Sequence, residues 1–376
     1  MLTMTQSRTK NIDITICPEM QLLLHCASTK IDAGKTEQIK SLIQQADLDW
    51  KEITSSAWKH GLMPLLYSNL NAIAPDTVPK DILNQLRNIF YTNAQRSLIL
   101  TGELVQLLRL LQENGIAAIP YKGPVLANLL YGNIGLRQFC DLDILVQQQD
   151  VLKFKTLLMS RGYRPKVQLT EAEEINYLKD KSKHTYNFIN DSKDIMVEIH
   201  WRITPRYTSA IEVNYIWENL HSSSLGGMKI YTFSAEDWLL LLTNHASRHR
   251  WEKLSWLADI AELLRQNTEI NWERVIQKAN DFDCRRMLFL GLFMTRQLIG
   301  LNLPIEVINK ITNDQKVAKL ASEISLDILN QTNTNHQFMQ NTRYHIQVRE
   351  RLHNKILYLE LFWRWLIRDK SVLLDE

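Results

Sequence analysis

The sequence predicts an α+β protein: a small mixed β-sheet with helical regions before and after it. Three observations predict this class. Residues 18–114 carry helical periodicity almost throughout, the pattern changes to short apolar strands from Ile116, and it returns to helix from Ala235 onward.

Each element follows in order. Residues 1–17 form a polar leading segment, expected to be disordered, and residues 18–114 a helical region. Its segments are PEMQLLLHCAS, TEQIKSLIQQ and the long run DILNQLRNIFYTNAQRSLILTGELVQLLRLLQENG, where Gly115 supplies the usual stop just past a helix C-terminus. A core over residues 115–233 contains strands IAAIPY, CDLDILV, HTYNFIN and IMVEIHW. The last two flank Asp191, Ser192, Lys193 and Asp194, a turn-rich tetrad that predicts a β-hairpin. Between the second and third strands, VLKFKTLLMSRG reads as a helix and EAEEINYLKDKSK as a polar helix or loop. Residues 234–376 form a helical C-terminal domain running to KILYLELFWRWLIRDK.

The 376 residues suffice for two or three domains, and a formal net charge of +3 provides no strong nucleic-acid signal. Cys17, Cys26, Cys140 and Cys284 have no CxxC spacing, so a disulfide framework or zinc ribbon is not expected. The leading residues lack an apolar signal-peptide core, and no run approaches the ~20 apolar residues of a membrane span. The expected location is cytoplasmic.

The stretch IPYKGPVLANLLYGNIGLRQFCDLDILV, Ile119–Val146, is the most informative. Asp141 and Asp143 stand at i and i+2 of a strand and so point the same way, with Cys140, Leu142, Ile144 and Val146 expected on the opposite, buried face. Two like charges this close repel, and a strand displaying them together commonly holds a cation; a structural pair capped by basic side chains is the alternative. Upstream, Lys122, Gly123 and Pro124 mark a turn where a helix begins. Proline suits the first helical position, the helix N-terminus presents free N–H groups to phosphate oxygens, Gly123 allows close backbone approach and Lys122 adds a point charge. Arg137 either binds a phosphate or braces the carboxylates. In Ile195–Arg202 the alternation puts Ile195, Val197, Ile199 and Trp201 on an apolar face and Glu198 with His200 on the other, making Glu198 the candidate third ligand. A phosphate cradle followed by a metal-holding acid pair is apparatus for phosphoryl or nucleotidyl transfer.

The pattern KGxxLxxxxY, glycine, Arg137, Asp-Leu-Asp-Ile-Leu-Val and later Val-Glu-Ile-His-Trp resembles the bacterial uncharacterised nucleotidyltransferase family of the DNA polymerase β-like superfamily. The match covers residues 115–202, is weaker over 240–262, and departs from the superfamily by having Lys122 and Gly123 where a Gly-Ser pair usually opens the phosphate-binding helix. The resemblance implies a mixed sheet on which Asp141, Asp143 and Glu198 bind two magnesium ions (Mg2+) holding a nucleoside triphosphate. The reaction it implies moves a nucleoside monophosphate to an acceptor hydroxyl, on a small molecule or a protein, with release of pyrophosphate. A catalytically silent nucleotide-binding or helical scaffold protein is the alternative.

On a continuous helix, at about 100° per residue, His245, His249, Glu252, Trp256 and Asp259 share one stripe. It reads either as a pocket lining, with Trp256 offering a stacking face, or as an interdomain hydrogen-bond network. The i, i+4 spacing of His245 and His249 also admits a zinc site, although no third ligand is set by spacing. The basic run from Arg343 to Lys355 is expected to be a solvated face, and the aromatic segment from Lys355 to Lys370 a terminal helix docked on the core.

Overall fold

A computed structural model describes residues 16–45, 47–206, 208–329, 337–360 and 363. The leading segment expected to be disordered, and most of the aromatic segment after Glu360, lie outside the described residues.

Five helices open the fold: α1 (Pro18–Cys26), α2 (Ala33–Gln45), α3 (Trp50–His60), α4 (Met63–Ile73) and the long α5 (Lys80–Glu113). Their starts follow local chemistry. Pro18 and Pro64 sit in first turns, and the Asp49 side chain caps α3 by accepting from the Lys51 and Glu52 amides. The buried stripe of α5 includes Leu100, Leu104, Leu107, Leu108 and Leu111.

The sheet follows: β1 (Ala118–Tyr121), α6 (Gly123–Tyr131), β2 (Asp141–Val146), α7 (Val151–Ser160), β3 (Arg164–Pro165), α8 (Glu171–Lys179), β4 (Thr185–Asn190) and β5 (Ile195–His200). The strand order is β1-β2-β5-β4-β3. β2 and β5 run parallel, and the other pairings are antiparallel. The hairpin across Asp191–Asp194 forms as the turn residues predict. The polar stretch from Glu171 is a helix, set by a reciprocal box in which Thr170 and Glu173 cap each other. Leu142, Ile144, Val146, Val197, Ile199 and Phe188 are fully buried in the core with Phe154 and Leu158 of α7. Cys140 is a correction: it is exposed, because the strand begins one residue later, at Asp141.

After α9 (Val213–Glu218), a separate hairpin of β6 (His221–Leu225) and β7 (Met228–Thr232) packs beside β1. Helices α10 (Ala235–Arg248), α11 (Leu254–Gln266), α12 (Trp272–Asp281), α13 (Arg285–Met294), α14 (Ile305–Thr312), α15 (Gln315–Leu329) and α16 (Gln337–Val348) follow, with a π-helical turn at Thr295–Ile299, and residues 352–360 are also helical. No described helix is long and apolar enough to cross a membrane.

Two sequence expectations fail here. The helix through His245–Asp259 is not continuous: Arg250 and Trp251 both take positive φ, 50° and 59°, and separate α10 from α11. Trp251 is fully buried at this break and packs on Gly291 of α13, while Glu252 leaves the stripe for solvent. The basic run is not wholly a solvated face either. Arg343, Arg351 and His353 are exposed, but Arg349 is 1% exposed and lies 4.5 Å from the Tyr358 ring, a cation–π contact.

A Cβ at Gly291 would lie 2.5 Å from Trp251 Cη2 and 2.8 Å from Thr243 Cγ2. Gly291→Ala should therefore destabilise the fold by about 1–3 kcal/mol through overpacking, read by denaturant unfolding. An unchanged midpoint would show that the helix break does not depend on this contact. Burial, then the charge of Lys59, pulls the His60 imidazole down to about 4. Since the unfolded value is about 6.5, the unfolded chain binds more protons between the two values; this contribution to stability is complete above pH ~6.5 and is lost as pH falls toward ~4, on the order of 3 kcal/mol. The melting temperature of the wild type should fall more steeply over that range than that of His60→Gln; parallel curves would contradict the assignment.

Candidate functional site

The site is built on one face of the sheet by strand register. Tyr121 pairs with Asp143, Asp143 with Glu198, and Glu198 with Asn187, so four adjacent strands present these side chains on the same face. His200 lies two residues beyond Glu198 and Asp141 two before Asp143, and both share that face.

Asp143 is the hub. Its Oδ1 accepts from Lys122 Nζ at 2.7 Å and from His200 Nε2 at 2.8 Å, and its side chain is only 1% exposed. An ionised carboxylate only accepts hydrogen bonds, so His200 Nε2 carries the proton and, in the neutral ring, Nδ1 accepts from the Tyr121 hydroxyl at 2.6 Å. Burial, reinforced by the Asp143 charge, raises the Tyr121 phenol well above its ordinary value and keeps it a donor. Glu198 Oε2 lies 3.3 Å from His200 Nε2, and its Oε1 accepts from Asn187 Nδ2 at 3.1 Å.

The carboxylates are pushed apart electrostatically. Burial favours the neutral acid at Asp143, but the Lys122 charge and the His200 hydrogen bond outweigh it and hold the carboxyl well below the usual range. Burial also opposes ionisation at Glu198, and His200 again reverses it. Among the described residues Asp141 has no such hydrogen-bond partner, and the Lys122 charge acts on it only as a smaller influence. Burial, then the neighbouring Asp143 charge, pushes it up to about 6.

Among the described residues, ligand atoms of Asp143, Glu198 and His200 all lie within 4.8 Å of one another; Asp141 stands outside this cluster. Two carboxylates and an imidazole suit a divalent cation by donor chemistry, provided the Lys122 ammonium swings away and His200 moves its proton to Nδ1, where the Tyr121 oxygen can accept it. His245 and His249 gain no third ligand for zinc among the described residues.

Lys122 occupies the turn before α6 with φ 55° and ψ −151°, a conformation unusual for a side-chain-bearing residue, and its Nζ lies 5.0 Å from the Tyr121 ring centroid. Gly123 follows with φ 36°; a Cβ there would sit 3.1 Å from the Asp141 carbonyl oxygen. The glycine thus lets the start of α6 lie against the acidic strand.

Arg137 makes its hydrogen bonds away from the acid pair, although its charge still acts to lower the Asp141 pKa. Its guanidinium grips Asp259 of α11, with Nε at 3.0 Å from Oδ1 and Nη2 at 2.9 Å from Oδ2, and the Tyr131 hydroxyl donates to the same carboxylate at 2.7 Å. The helix break leaves His245, His249 and Trp256 together, with ring centroids 4.9–5.7 Å apart. Tyr121, Lys122, Arg137, His245, Arg248 and Trp256 line a common cleft, with Leu241, Leu242 and Trp238 supplying apolar wall.

Sequence reasoning missed Tyr121, Asn187, His184 and Arg248. Tyr121 and Asn187 are found only through register. Arg248 donates to His184 Nε2 at 2.5 Å and His249 Nε2 at 3.0 Å, both rings depressed below their ordinary value by burial and by this guanidinium. Among the described residues no carboxylate pairs with Arg248, and its Nε is buried without a partner. An arginine between two histidines in the segment NHASRHRW was the available signal.

A mixed sheet with paired acids on adjacent parallel strands, beside a lysine-led helix start and a cationic cleft, defines a nucleotidyltransferase-type core. The family model described as uncharacterised nucleotidyltransferase matches residues 46–300, and the chain belongs to that family. No curated protein matches the chain.

Asp259→Ala should cost about 3–5 kcal/mol, because it strands the Arg137 charge in a largely buried position. A loss below 1 kcal/mol in chemical unfolding would indicate that Arg137 reaches solvent or another anion.

Proposed function

We propose that the protein is a metal-dependent nucleotidyltransferase that transfers a nucleoside monophosphate from a nucleoside triphosphate to an acceptor hydroxyl. The single observation that carries the reading is the pairing of Asp143 with Glu198 across parallel strands, with Lys122 at the adjoining helix start. The acceptor oxygen attacks the α-phosphorus, the new P–O bond forms as the bond to the α,β-bridging oxygen breaks, and pyrophosphate leaves with that electron pair. The acceptor proton passes to a carboxylate of the same face. Glu198, with a side chain 20% exposed against 1% for Asp143, is more open to a substrate than Asp143.

Divalent cations, proposed as two magnesium ions, would when bound neutralise charge on the triphosphate and acidify the acceptor hydroxyl. Magnesium prefers oxygen, so Asp143 and Glu198, with Asp141 from the same strand face, would hold it, and His200 would orient Asp143 by hydrogen bond. Lys122 exchanges its bond to Asp143 for a phosphate oxygen. Arg248 adds a second cation at the cleft, and Trp256 offers a face for the base. Arg137 acts through Asp259 as a positioning residue.

One observation favours a second reading. Lys122 Nζ stands on Asp143 in the place a cation would take, which suits a silent nucleotide-binding protein held together by that ion pair.

Incubation with magnesium and each α-labelled nucleoside triphosphate, alone and with cell extract, separates the two. Label transfer and pyrophosphate release should occur with wild type, disappear on chelation, and fall at least about 100-fold in Asp143→Ala, the scale of losing one metal ligand or its support. Magnesium-dependent triphosphate binding with no transfer in any extract would support the silent reading. Equal transfer by the variant would sink the assignment of Asp143.

A further inference from the structure

A second cavity, of about 500 Å³, opens just beyond the carboxyl ends of the two parallel strands. Gln147 and Gln148 follow β2 there, and Trp201 and Arg202 follow β5. Thr204 lines both this cavity and the cleft beside Lys122, so the two spaces adjoin.

Its lining is one-sided in charge. Lys181, Arg202, Arg206, Arg351 and His353 face a single acid, Glu212. Among the described residues no carboxylate forms an ion pair with Lys181, Arg202 or Arg206, while Arg351 reaches Asp283 only at 3.6 Å. Arg202 donates to the carbonyl oxygens of Asp180 and Lys183, and among the described residues no carboxylate hydrogen-bonds to it. Burial, then the nearby Arg206 charge, depresses the Arg202 guanidinium below its ordinary value, and the Asp180 and Glu212 carboxylates only partly offset this. Trp201, 1% exposed, forms part of the same wall, and among the described residues its indole N–H has no acceptor. Cations held close together and an orphaned buried donor point to an anionic ligand.

Resting on the nucleotidyltransferase reading, we propose that this cavity is the acceptor subsite and that the acceptor is a small phosphorylated alcohol. Arg202 and Arg206 hold its phosphate, and its hydroxyl reaches toward the carboxylate face past Thr204. The volume suits a small ligand, and the chain's net charge of +3 offers no extended basic field for a polymer. The transfer step is the one given above, with this hydroxyl as the attacking oxygen.

Calorimetric titration of the full chain tests the assignment with two probes, glycerol 3-phosphate and magnesium tripolyphosphate. Glycerol 3-phosphate should bind wild type and weaken about tenfold or more, roughly 1.4 kcal/mol, in Arg202→Ala/Arg206→Ala, while Lys122→Ala leaves it within about twofold. Tripolyphosphate should show the reverse pattern. Arg206→Ala alone, at an exposed position, covers the case in which the double variant fails to fold, and should weaken glycerol 3-phosphate in the same direction. Absence of glycerol 3-phosphate binding at millimolar concentration, or binding indifferent to both arginines, would overturn the proposal. Binding of a polyglutamate peptide in place of the phosphate ester would overturn the ligand class. Glycerol 3-phosphate binding as expected without any tripolyphosphate binding would remove the acceptor role and, separately, the nucleotide reading beneath it.

Discussion

The parallel register of β2 and β5 is the constraint on which the site depends. Pairing Asp143 with Glu198 sets two carboxylates side by side, and a slip of β2 by one residue would turn Asp143 into the hydrophobic layer and expose Leu142 and Ile144 instead. That apolar alternation holds the register, so the same hydrophobic burial that stabilises the sheet also positions its charges. The antiparallel neighbours complete the arrangement: β1 delivers Tyr121 and β4 delivers Asn187 to the same face.

A carboxylate as buried as Asp143 is costly unless its charge is met. Lys122 and His200 meet it here, and Tyr121 holds the far side of the imidazole. The chain accepts an unusual backbone conformation at Lys122 to place that ammonium. Asp141, with no equivalent hydrogen-bond partner among the described residues, is left with a raised pKa on the same strand. Two chemically identical side chains two residues apart thus acquire different properties from their surroundings alone.

A second polar assembly joins the C-terminal helices to the sheet. Asp259 on α11 receives Arg137 from the loop before β2 and Tyr131 from the end of α6. Asn93 of α5 donates to the Gly135 carbonyl just upstream, so the same loop is tied to the N-terminal helices as well. The cleft beside Lys122 has walls from both the sheet and the C-terminal helices, and this assembly keeps those walls in register. The break at Arg250 and Trp251 serves the same end, because it turns α11 so that Trp256 meets His245 and His249.

The sequence by itself determined the α+β class, the four longer strands of the main sheet and the candidate carboxylates, because period-two alternation and turn chemistry are local properties; β3, the β6–β7 hairpin and the exposure of Cys140 were not legible in it. The acid pair and Glu198 were legible for that reason, as was the helix start at Lys122 and Gly123. The tertiary structure alone decided which residues complete the site. It paired Arg137 with Asp259 and not with the acid pair, placed His200 at the centre of the carboxylates, and interrupted a helix that periodicity alone reads as continuous. Each outcome depends on contacts between distant segments: the burial of Trp251 against Gly291, the strand order, the meeting of α6 with α11. Periodicity within one segment carries no information about such contacts, whereas burial energy acts across the whole chain and selects the arrangement that satisfies all of them together.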